Sequence, residues 1–330
     1  MSQDNLPSNS FSLGLKCTEC NSPNLPRRRF LQVSAIAAAS IAIPRFVHGA
    51  PTTSSAAETV VGEFYESLSA NQRSTICMPM DHELRSRVNA NWHVTKPLIG
   101  SDFFDKRQRT MIGEVVRQVT SEDGHARLLK QMDDDDGGLD AYSVAMFGQP
   151  SQGGFQWLLT GRHLTLRADG DSVANAAFGG PIVYGHGEES SPQANLFYYQ
   201  TQQVNEVFKS LDAEQAKQAL SDTLPNESAV QKQGPQGKFA GIACDKLSAE
   251  QQSLVRDALK TILAPYRAED SDEAMAAIDA AGGLNALRLA FYRNGDLNDD
   301  QIWDNWRIEG PNAVCHFRGS PHVHAYIHIG

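Results

Sequence analysis

The sequence predicts an α+β fold, in which antiparallel strands from the middle and the C-terminal part of the chain form a sheet with packed α-helices. Apolar residues recur at helical spacing over 58–132 and over parts of 195–281. The period changes to two over parts of 142–178 and over parts of 286–329, which is typical of strands. Short turn sequences separate the C-terminal strands, and short connections favour antiparallel hairpins.

The helices are placed by this spacing and by capping residues at their starts. One five-residue pattern occurs three times, as Leu-Ser-Ala-Asn-Gln at 68–72, Leu-Asp-Ala-Glu-Gln at 211–215 and Leu-Ser-Ala-Glu-Gln at 247–251. Its second and fifth residues fit a capping box, in which each side chain accepts a hydrogen bond from the backbone of the other. The copies are unequally spaced, so we interpret them as one helix cap used three times, not as a solenoid repeat. The predicted helices span 60–68, 104–120, 126–132, 195–210, 213–221, 249–264 and 272–281.

The strands are bounded by turn and loop residues. The Gly-rich residues 179–187 are predicted to form a loop around His186, and residues 222–238, rich in Gln, Gly, Pro and Ser, form another. The four acids at 133–136 favour a solvated loop over a calcium site, because their spacing is not that of an EF-hand. The predicted strands span 142–147, 155–167, 173–178, 286–293, 303–309, 313–318 and 321–329.

Residues 1–49 have the features of a twin-arginine signal peptide. Residues 27–32, Arg-Arg-Arg-Phe-Leu-Gln, contain the paired-arginine export pattern. The uncharged apolar run over 33–43 is shorter than the roughly 20 residues that cross a bilayer as a helix. Val47 and Gly49 supply small residues at positions −3 and −1 of a signal-peptidase site, so cleavage is predicted after Gly49. The alternative is a chance basic and apolar stretch in a cytoplasmic protein.

This cleavage defines the expected organisation of the mature protein. Residues 50–57 are expected to be a flexible N-terminus and residues 58–330 a single α+β domain. The protein is then periplasmic or secreted, has no permanent membrane anchor and uses the twin-arginine translocase during export. Cys17 and Cys20 form a C-x-x-C in the leader without the second pair of a zinc ribbon, and the sequence does not indicate their role.

The charge of the chain argues against nucleic acid as a partner. Its 330 residues include 29 Lys and Arg against 39 Asp and Glu, a net charge of −10 at pH 7. Phosphate binding needs a concentrated basic face, and no basic cluster is visible in the sequence. The hydrophobic fraction of 41% and charged fraction of 21% are typical of a globular protein and exclude wholesale disorder.

Histidines are concentrated near the C-terminus, where four of the ten lie in the last fifteen residues. A strand over 321–329 puts His322, His324, Tyr326 and His328 on one face. An H-x-H pair on a strand is about 7 Å apart at Cα, which is close enough to chelate one ion. We therefore predict a metal site there; the alternative is the polar face of an edge strand without a ligand.

Two histidines from the middle of the chain are predicted to complete this site. His163 lies in a predicted strand, and His186 is flanked by glycines that permit a close approach of the backbone. With His322 and His324 they give three or four imidazole ligands drawn from separate parts of the chain. Each histidine alone is more often a structural residue, so the prediction depends on their convergence.

Other polar residues near these motifs suggest further roles. Glu309 is predicted as an additional ligand or as a general base. Arg162 and Arg307 are predicted to bind an anionic group, because guanidinium suits carboxylate or phosphate; ion pairs with the protein are the alternative. The sequence contains no dinucleotide-binding glycine pattern, no phosphate-binding P-loop and no G-x-S-x-G nucleophile elbow.

The histidines stand within short motifs. These are Phe147-Gly148-x-Pro150, Trp157 ahead of Gly161-x-His163-Leu164, Phe178-Gly179-Gly180-Pro181, Trp306-Arg307-Ile308-Glu309-Gly310-Pro311 and His322-Val323-His324. Through them the chain resembles the exported bacterial and fungal proteins of domain of unknown function 3500, in a planctomycete-like branch. Members commonly have Gly-His-His-Leu at 161–164, so only the second histidine carries over. The resemblance covers most of the mature chain and implies the site, but no established reaction.

Three functions are compatible with the sequence. The first is a metalloenzyme, in which zinc or copper in a His-rich site acts on a small-molecule substrate. The second is a metal-handling protein without catalysis, and the third is a structural or interaction domain with hydrogen-bonded histidines. The first two require that His163, His322 and His324 converge within about 5 Å.

Overall fold

The computed structural model describes residues 49–187, 194–297 and 300–330. In these ranges the chain forms eight α-helices and one sheet of 11 strands, which confirms the predicted α+β class. The predicted signal peptide lies outside the described residues except for Gly49 and remains a prediction. The helices are α1 Ala56–Ser67, α2 Ala70–Ile76, α3 Lys106–Gln118, α4 Glu122–Asp136, α5 Tyr198–Lys209, α6 Ala213–Ala219, α7 Ala249–Leu263 and α8 Ala268–Ala280.

Among the described residues, no helix combines the length and the apolar character that a membrane crossing requires. Helix α1 begins at Ala56, so its first two residues lie inside the segment 50–57 that was expected to be flexible. The three predicted caps are confirmed: Ser69, Asp212 and Ser248 each form a capping box with the Gln three residues later. Such a cap stabilises a helix by about 1 kcal/mol.

The strands join in one sheet that is mostly antiparallel, as predicted. They are β1 Cys77–Met78, β2 Ser143–Gly148, β3 Phe155–Gly161, β4 Leu164–Ala168, β5 Ile182–His186, β6 Leu220–Ser221, β7 Ile242–Ala243, β8 Arg288–Tyr292, β9 Asn305–Gly310, β10 Ala313–Arg318 and β11 Val323–Ile329. Their order is β1-β2-β3-β4-β5-β11-β10-β9-β8-β6, and β7 pairs with β8. The pairs β1–β2 and β6–β8 are parallel. Strand β5 therefore lies between β4, from the middle of the chain, and the C-terminal strand β11.

The helices cover one face of the sheet. Val323, Ala325 and Ile327, the alternate residues of β11, belong to the main hydrophobic core together with Val61 of α1 and Val255 of α7. Full burial of one such side chain stabilises the fold by roughly 1.5–3 kcal/mol. The other residues of β11, including the histidines, therefore face away from this core.

Two irregular segments cover the opposite side of the sheet, which we call the loop-covered face. One, over 79–95, packs Trp92 against strands β2 and β3. The other, over 222–238, packs Val230 against Tyr326. Their apolar clusters are small, so polar side chains occupy much of the space between these segments and the sheet.

Helix α4 continues through the acids that were predicted to form a loop. It ends at Asp136, and Gly137 closes it in the left-handed conformation with φ 77°. Carboxylates at a helix C-terminus oppose the helix dipole. Asp134 and Asp135 contact histidines of the sheet, which compensates this cost.

The segment predicted as one strand over 155–167 is a hairpin. Strands β3 and β4 are joined by Arg162 and His163, and Gly161 pairs with Leu164. His163 has φ 53°, which residues other than glycine rarely adopt outside tight turns. Arg-His carries none of the usual turn residues, so the sequence pattern did not reveal this reversal.

The prediction of a strand over 173–178 is also wrong. Ala177–Gly179 forms a short 3₁₀ segment, in which Phe178 has φ 62°. The strand that pairs with β4 lies beyond Pro181, in the region predicted to be a loop, and it ends at His186. The glycines of this region had suggested a loop, but Gly185 lies within the strand.

Candidate metal centre

Three histidines converge on the loop-covered face. His163, His322 and His324 each offer one ring nitrogen, and the three nitrogens lie within 4.8 Å of one another. Their ring centroids are 5.0, 4.9 and 4.8 Å apart. This spacing meets the requirement of about 5 Å for shared ligation, so the structure brings together three of the four predicted ligands.

Strand β11 positions two of these histidines. His324 is the second residue of the strand, and His322 is the residue immediately before the strand begins. Their Nε2 atoms are 3.0 Å apart. Two nitrogens bound tetrahedrally to one zinc ion, each at about 2.0–2.1 Å, are about 3.3–3.4 Å apart. The H-x-H pair is therefore already close to chelating distance.

The turn between β3 and β4 supplies the third histidine. The backbone N–H of His163 donates to the carbonyl of Ala90 at 2.6 Å, which ties the turn to the segment 79–95. His324 pairs across the sheet with Gly185 of β5. A Cβ on Gly185 would lie 3.2 Å from the Cβ of His163. The lack of a side chain at Gly185 therefore lets the turn approach β11.

Asp135 of helix α4 orients the ring of His163. The Nδ1 of His163 donates to Oδ2 of Asp135 at 2.7 Å, and the backbone N–H of Gly187 donates to Oδ1 at 2.8 Å. Burial opposes ionisation of this carboxyl, but hydrogen bonds from His163, Gln131 and Gly187 outweigh it and lower its pKa to about 2. Because the ionised carboxylate only accepts, Nδ1 carries a proton, and the neutral ring in this tautomer has its lone pair on Nε2.

Glu227 of the segment 222–238 orients His324 in the same way. The Nδ1 of His324 and the hydroxyl of Tyr326 both donate to Oε1 of Glu227 at 3.0 Å. Burial opposes ionisation of Glu227, but the hydrogen bond from His324 and the charge of Arg318 outweigh it and lower its pKa to about 2. Burial also lowers the pKa of His324, which favours the neutral ring that binds metals.

His186, predicted as a fourth ligand, lies outside this group of three. Its Nε2 is 3.0 Å from Oδ2 of Asp134. Its Nδ1 accepts from the backbone N–H of Leu196 at 3.4 Å. Both ring nitrogens therefore contact the protein, and we leave His186 out of the proposed ligand set.

The structure does not bring Glu309 to the histidines. Through Val314 of β10, Glu309 is in register with His328, four residues beyond His324 in β11. Four residues of a strand span about 13 Å. The carboxylate of Glu309 instead accepts from Nε2 of Gln233 at 3.0 Å. Its predicted role as a ligand or base at this site has no support in this geometry.

The two arginines predicted to bind an anion lie in different surroundings. Arg307 is buried and donates to Nδ1 of His316 at 3.3 Å and to the carbonyl of Ala229 at 3.1 Å, so it holds the segment 222–238 on the sheet. Arg162 is exposed in the turn, next to His163. Of the two, Arg162 adjoins the histidine site.

The family of the chain follows from comparison of its sequence with known families. The profile described as Protein of unknown function (DUF3500) matches residues 50–329. The chain belongs to this family. No curated protein and no solved structure matches it. The motifs in which the chain resembles DUF3500 include His163, His322 and His324, so the convergent residues come from the segments that carry the resemblance.

Sequence reasoning missed Asp135 and Glu227, two carboxylates of the described residues that contact the convergent histidines of this DUF3500 chain. Asp135 was hidden in a run of four acids, which is usually solvated. Glu227 is the one acid between Asp222 and Asp245, in a segment otherwise rich in uncharged polar residues. A single acid in such a segment was a usable signal, but the sequence did not show that the segment folds over β11.

Proposed function

We propose that this DUF3500 protein is an exported metal-binding protein whose ion is held by His163, His322 and His324. The supporting observation is that three ring nitrogens from two elements lie within 4.8 Å of one another. Imidazole is the commonest metal ligand of proteins. To reach the spacing of a tetrahedral site, the most widely separated nitrogens need to approach by only roughly 1–2 Å, because the His322 and His324 pair is already close to that spacing.

The two carboxylates favour a metal site over histidines that merely hydrogen-bond. Metal-binding histidines almost always donate their second N–H to a carboxylate, a carbonyl or water. His163 and His324 each have such a carboxylate on Nδ1. A hydrogen bond between His322 and His324 accounts for two of the three rings, but it does not explain why His163 is held beside them.

The donor set favours zinc or copper. Neutral imidazoles suit both ions, and copper also suits the oxidising compartment that export implies. Three protein ligands are the usual set of a catalytic zinc site, whereas structural zinc has four. Zinc in such a site would supply Lewis-acid activation of water.

The catalytic form of the proposal assigns separate tasks to the protein. The side chain of His324 is 13% exposed and His322 is also partly exposed, so in this form of the proposal solvent reaches the ion from their side. Arg162, exposed beside His163, would bind the anionic group of a small-molecule substrate. Asp135 and Glu227 would hold the imidazoles in place. The alternative is a metal-handling protein that uses the same three ligands without catalysis.

Metal analysis of the natively exported protein tests the proposal. Cells are grown with zinc, copper, nickel and manganese available, and metal per chain is measured by elemental analysis after purification. We expect close to one ion per chain, predominantly zinc or copper. Protein that retains no metal under these conditions, and binds none when titrated at neutral pH, would leave the histidines as structural residues.

Cobalt substitution separates the two forms of the proposal. The visible spectrum of cobalt reports its coordination, and azide can bind only at an accessible position. With three protein ligands and an accessible position, azide should change the spectrum in a saturable manner. An unchanged spectrum in a protein that holds cobalt stoichiometrically would favour a closed, metal-handling site.

Substitution of the paired arginines in the predicted signal peptide tests export. The double variant Arg27→Lys with Arg28→Lys should leave an uncleaved precursor in the cytoplasm. The matched control is Arg29→Lys, which removes the neighbouring arginine but keeps the pair. Normal processing of the double variant would exclude the twin-arginine route, whereas metal binding by the purified protein would be unaffected by that result.

A further inference from the structure

A second cleft opens on the loop-covered face, away from the histidine site. It encloses about 390 Å³ and is lined in part by Arg85, Lys232, His328 and Gly180. His328 lies four residues beyond His324, which is about 13 Å along the strand. Sites for small molecules typically enclose about 300–1,000 Å³. None of the described residues that line this cleft is Asp or Glu.

Backbone oxygens hold both cationic side chains of the cleft in place. The Nε of Arg85 donates to the carbonyl of Met80 at 2.7 Å. The Nζ of Lys232 donates to the backbone oxygens of Asn175 and Gly330. These contacts restrict the rotamers of the two long side chains, so less conformational entropy is lost when a ligand binds them.

A third cation lies beneath the floor of the cleft. Arg167 is only 3% exposed. Its Nε donates to the carbonyl of Pro181 at 2.7 Å and its Nη1 to that of Arg85 at 2.6 Å, while its Nη2 has no hydrogen-bond partner among the described residues. A Cβ on Gly180 would lie 3.7 Å from the guanidinium carbon, so Gly180 separates this charge from the cleft by a single backbone layer.

Among the described residues, the side-chain charges around the cleft do not cancel. Asp169 is the acid whose charge favours the charged form of Arg167. It lies on the far side of Gly179, because a Cβ added at Gly179 would be 2.7 Å from the carboxyl carbon of Asp169. Burial lowers the pKa of Arg167 to about 9, so the guanidinium keeps its charge at neutral pH. Three cationic side chains therefore face the cleft and its floor, against one acidic side chain outside it, in the part of the chain that the structure describes.

We propose that this cleft is a second binding site, for a small organic anion whose carboxylate or phosphate group is bound by Arg85 and Lys232 above Gly180. Guanidinium binds either group in a bidentate manner. Solvent screens the charge of Arg167 weakly because it is buried, so it strengthens the attraction from below. The proposal does not depend on metal binding by the histidines.

Calorimetric titration of the purified full chain tests this site. The probes are gluconate for carboxylates, glycerol 3-phosphate for phosphates, and glycerol as the uncharged control. The variants are Arg85→Gln and Lys232→Gln, with Lys238→Gln as a matched loss of charge at an exposed position that does not line the cleft. Metal content is measured in parallel, because a variant of this cleft should leave it unchanged.

We expect saturable binding of at least one anion, and the anion that binds more tightly identifies the group that is recognised. The dissociation constant should rise about 10-fold or more in Arg85→Gln and Lys232→Gln and stay unchanged in Lys238→Gln. If Arg85→Gln does not fold, Lys232→Gln decides. The proposal is overturned if wild type binds neither anion, if Lys232→Gln binds as wild type does, or if Lys238→Gln loses as much affinity.

Discussion

Asp135 accepts a hydrogen bond from Nδ1 of His163 at 2.7 Å with one carboxylate oxygen, while the other accepts from the backbone of Gly187 at 2.8 Å. One side chain at the end of helix α4 thus connects the β3–β4 turn to the end of β5. The side chains of His163 and Asp135 are both 4% exposed. The geometry of the histidine site therefore depends on a helix that contributes no histidine to it.

Replacing Asp135 by Asn should weaken metal binding without unfolding the protein. The amide can still contact His163, but it no longer holds the proton on Nδ1 by charge. Loss of such a partner typically lowers metal affinity about 10–100-fold. Competition with a chelator measures the change, and Asp133→Asn, an exposed acid two residues away, is the control. Equal affinities in the two variants would show that Asp135 does not position a ligand.

Replacing Glu227 by Gln should have a comparable effect on the other side of the site. Oε1 of Glu227 accepts from both His324 and Tyr326, and the amide oxygen of Gln can accept both bonds but carries no full negative charge to hold the proton on Nδ1 of His324. We expect metal affinity to fall about 10-fold or more. Asp222→Asn, at an exposed position of the same segment, should bind as wild type does. A Glu227→Gln protein with wild-type affinity would remove Glu227 from the account.

Gly161→Ala should destabilise the fold through Tyr142. A Cβ at Gly161 would collide with the ring of Tyr142, whose hydroxyl holds the carbonyl of Arg162 at 2.6 Å. Overpacking of this kind costs about 1–3 kcal/mol. Gly154→Ala is the matched control, because its Cβ would meet Ser172 at 3.5 Å, an ordinary contact. Urea denaturation of both variants measures the difference, and equal midpoints would refute the packing argument.

Asp169 should make the protein less stable as the pH rises from about 4 to 6. Burial raises the pKa of Asp169 from 3.8 to about 6. The folded state therefore holds a proton that the unfolded state releases, and stability is lost as pH rises through the folded pKa. The shift corresponds to about 3 kcal/mol at most. Asp169→Asn should flatten this part of the profile of unfolding free energy against pH.

The backbone contact of Asp169 makes this variant a clean test. Its Oδ2 accepts from the backbone N–H of Val173 at 3.0 Å, and the Asn carbonyl can accept the same bond. The free energy of unfolding is measured by denaturant titration at several pH values for both proteins. A wild-type profile that does not fall over this interval, or a fall of equal size in Asp169→Asn, would contradict the assignment.

The sequence predicted the fold class and the face of the C-terminal strands, because both depend on local periodicity. Strand β10 has the predicted bounds, and β11 places His324 and His328 on the side predicted from alternation. The hairpin at Arg162 and His163 could not be predicted, because a reversal of the chain there depends on contacts with Ala90 and Asp135 that are distant in sequence. Tertiary contacts, not turn propensity, select this conformation.

The candidate site was predictable only in its histidines. Residue type and the H-x-H spacing indicate His322 and His324 directly. Glu309 was predicted as a further ligand or general base, but the strand register places it level with His328 and not with His322 or His324. Glu227 reaches the site because an irregular segment folds across the sheet, and no local pattern encodes that path.

The most direct test of the account is the metal content per chain of His163→Ala, His322→Ala and His324→Ala, measured beside His328→Ala at one neutral pH. His328 lies on the same face, but its Nδ1 contacts the carbonyl of Val230 at 2.9 Å, so it is the matched histidine outside the ligand set. We expect each of the first three variants to lose most of the bound metal and His328→Ala to keep it. If the first three variants retain as much metal as His328→Ala does, the convergent histidines are not the metal site.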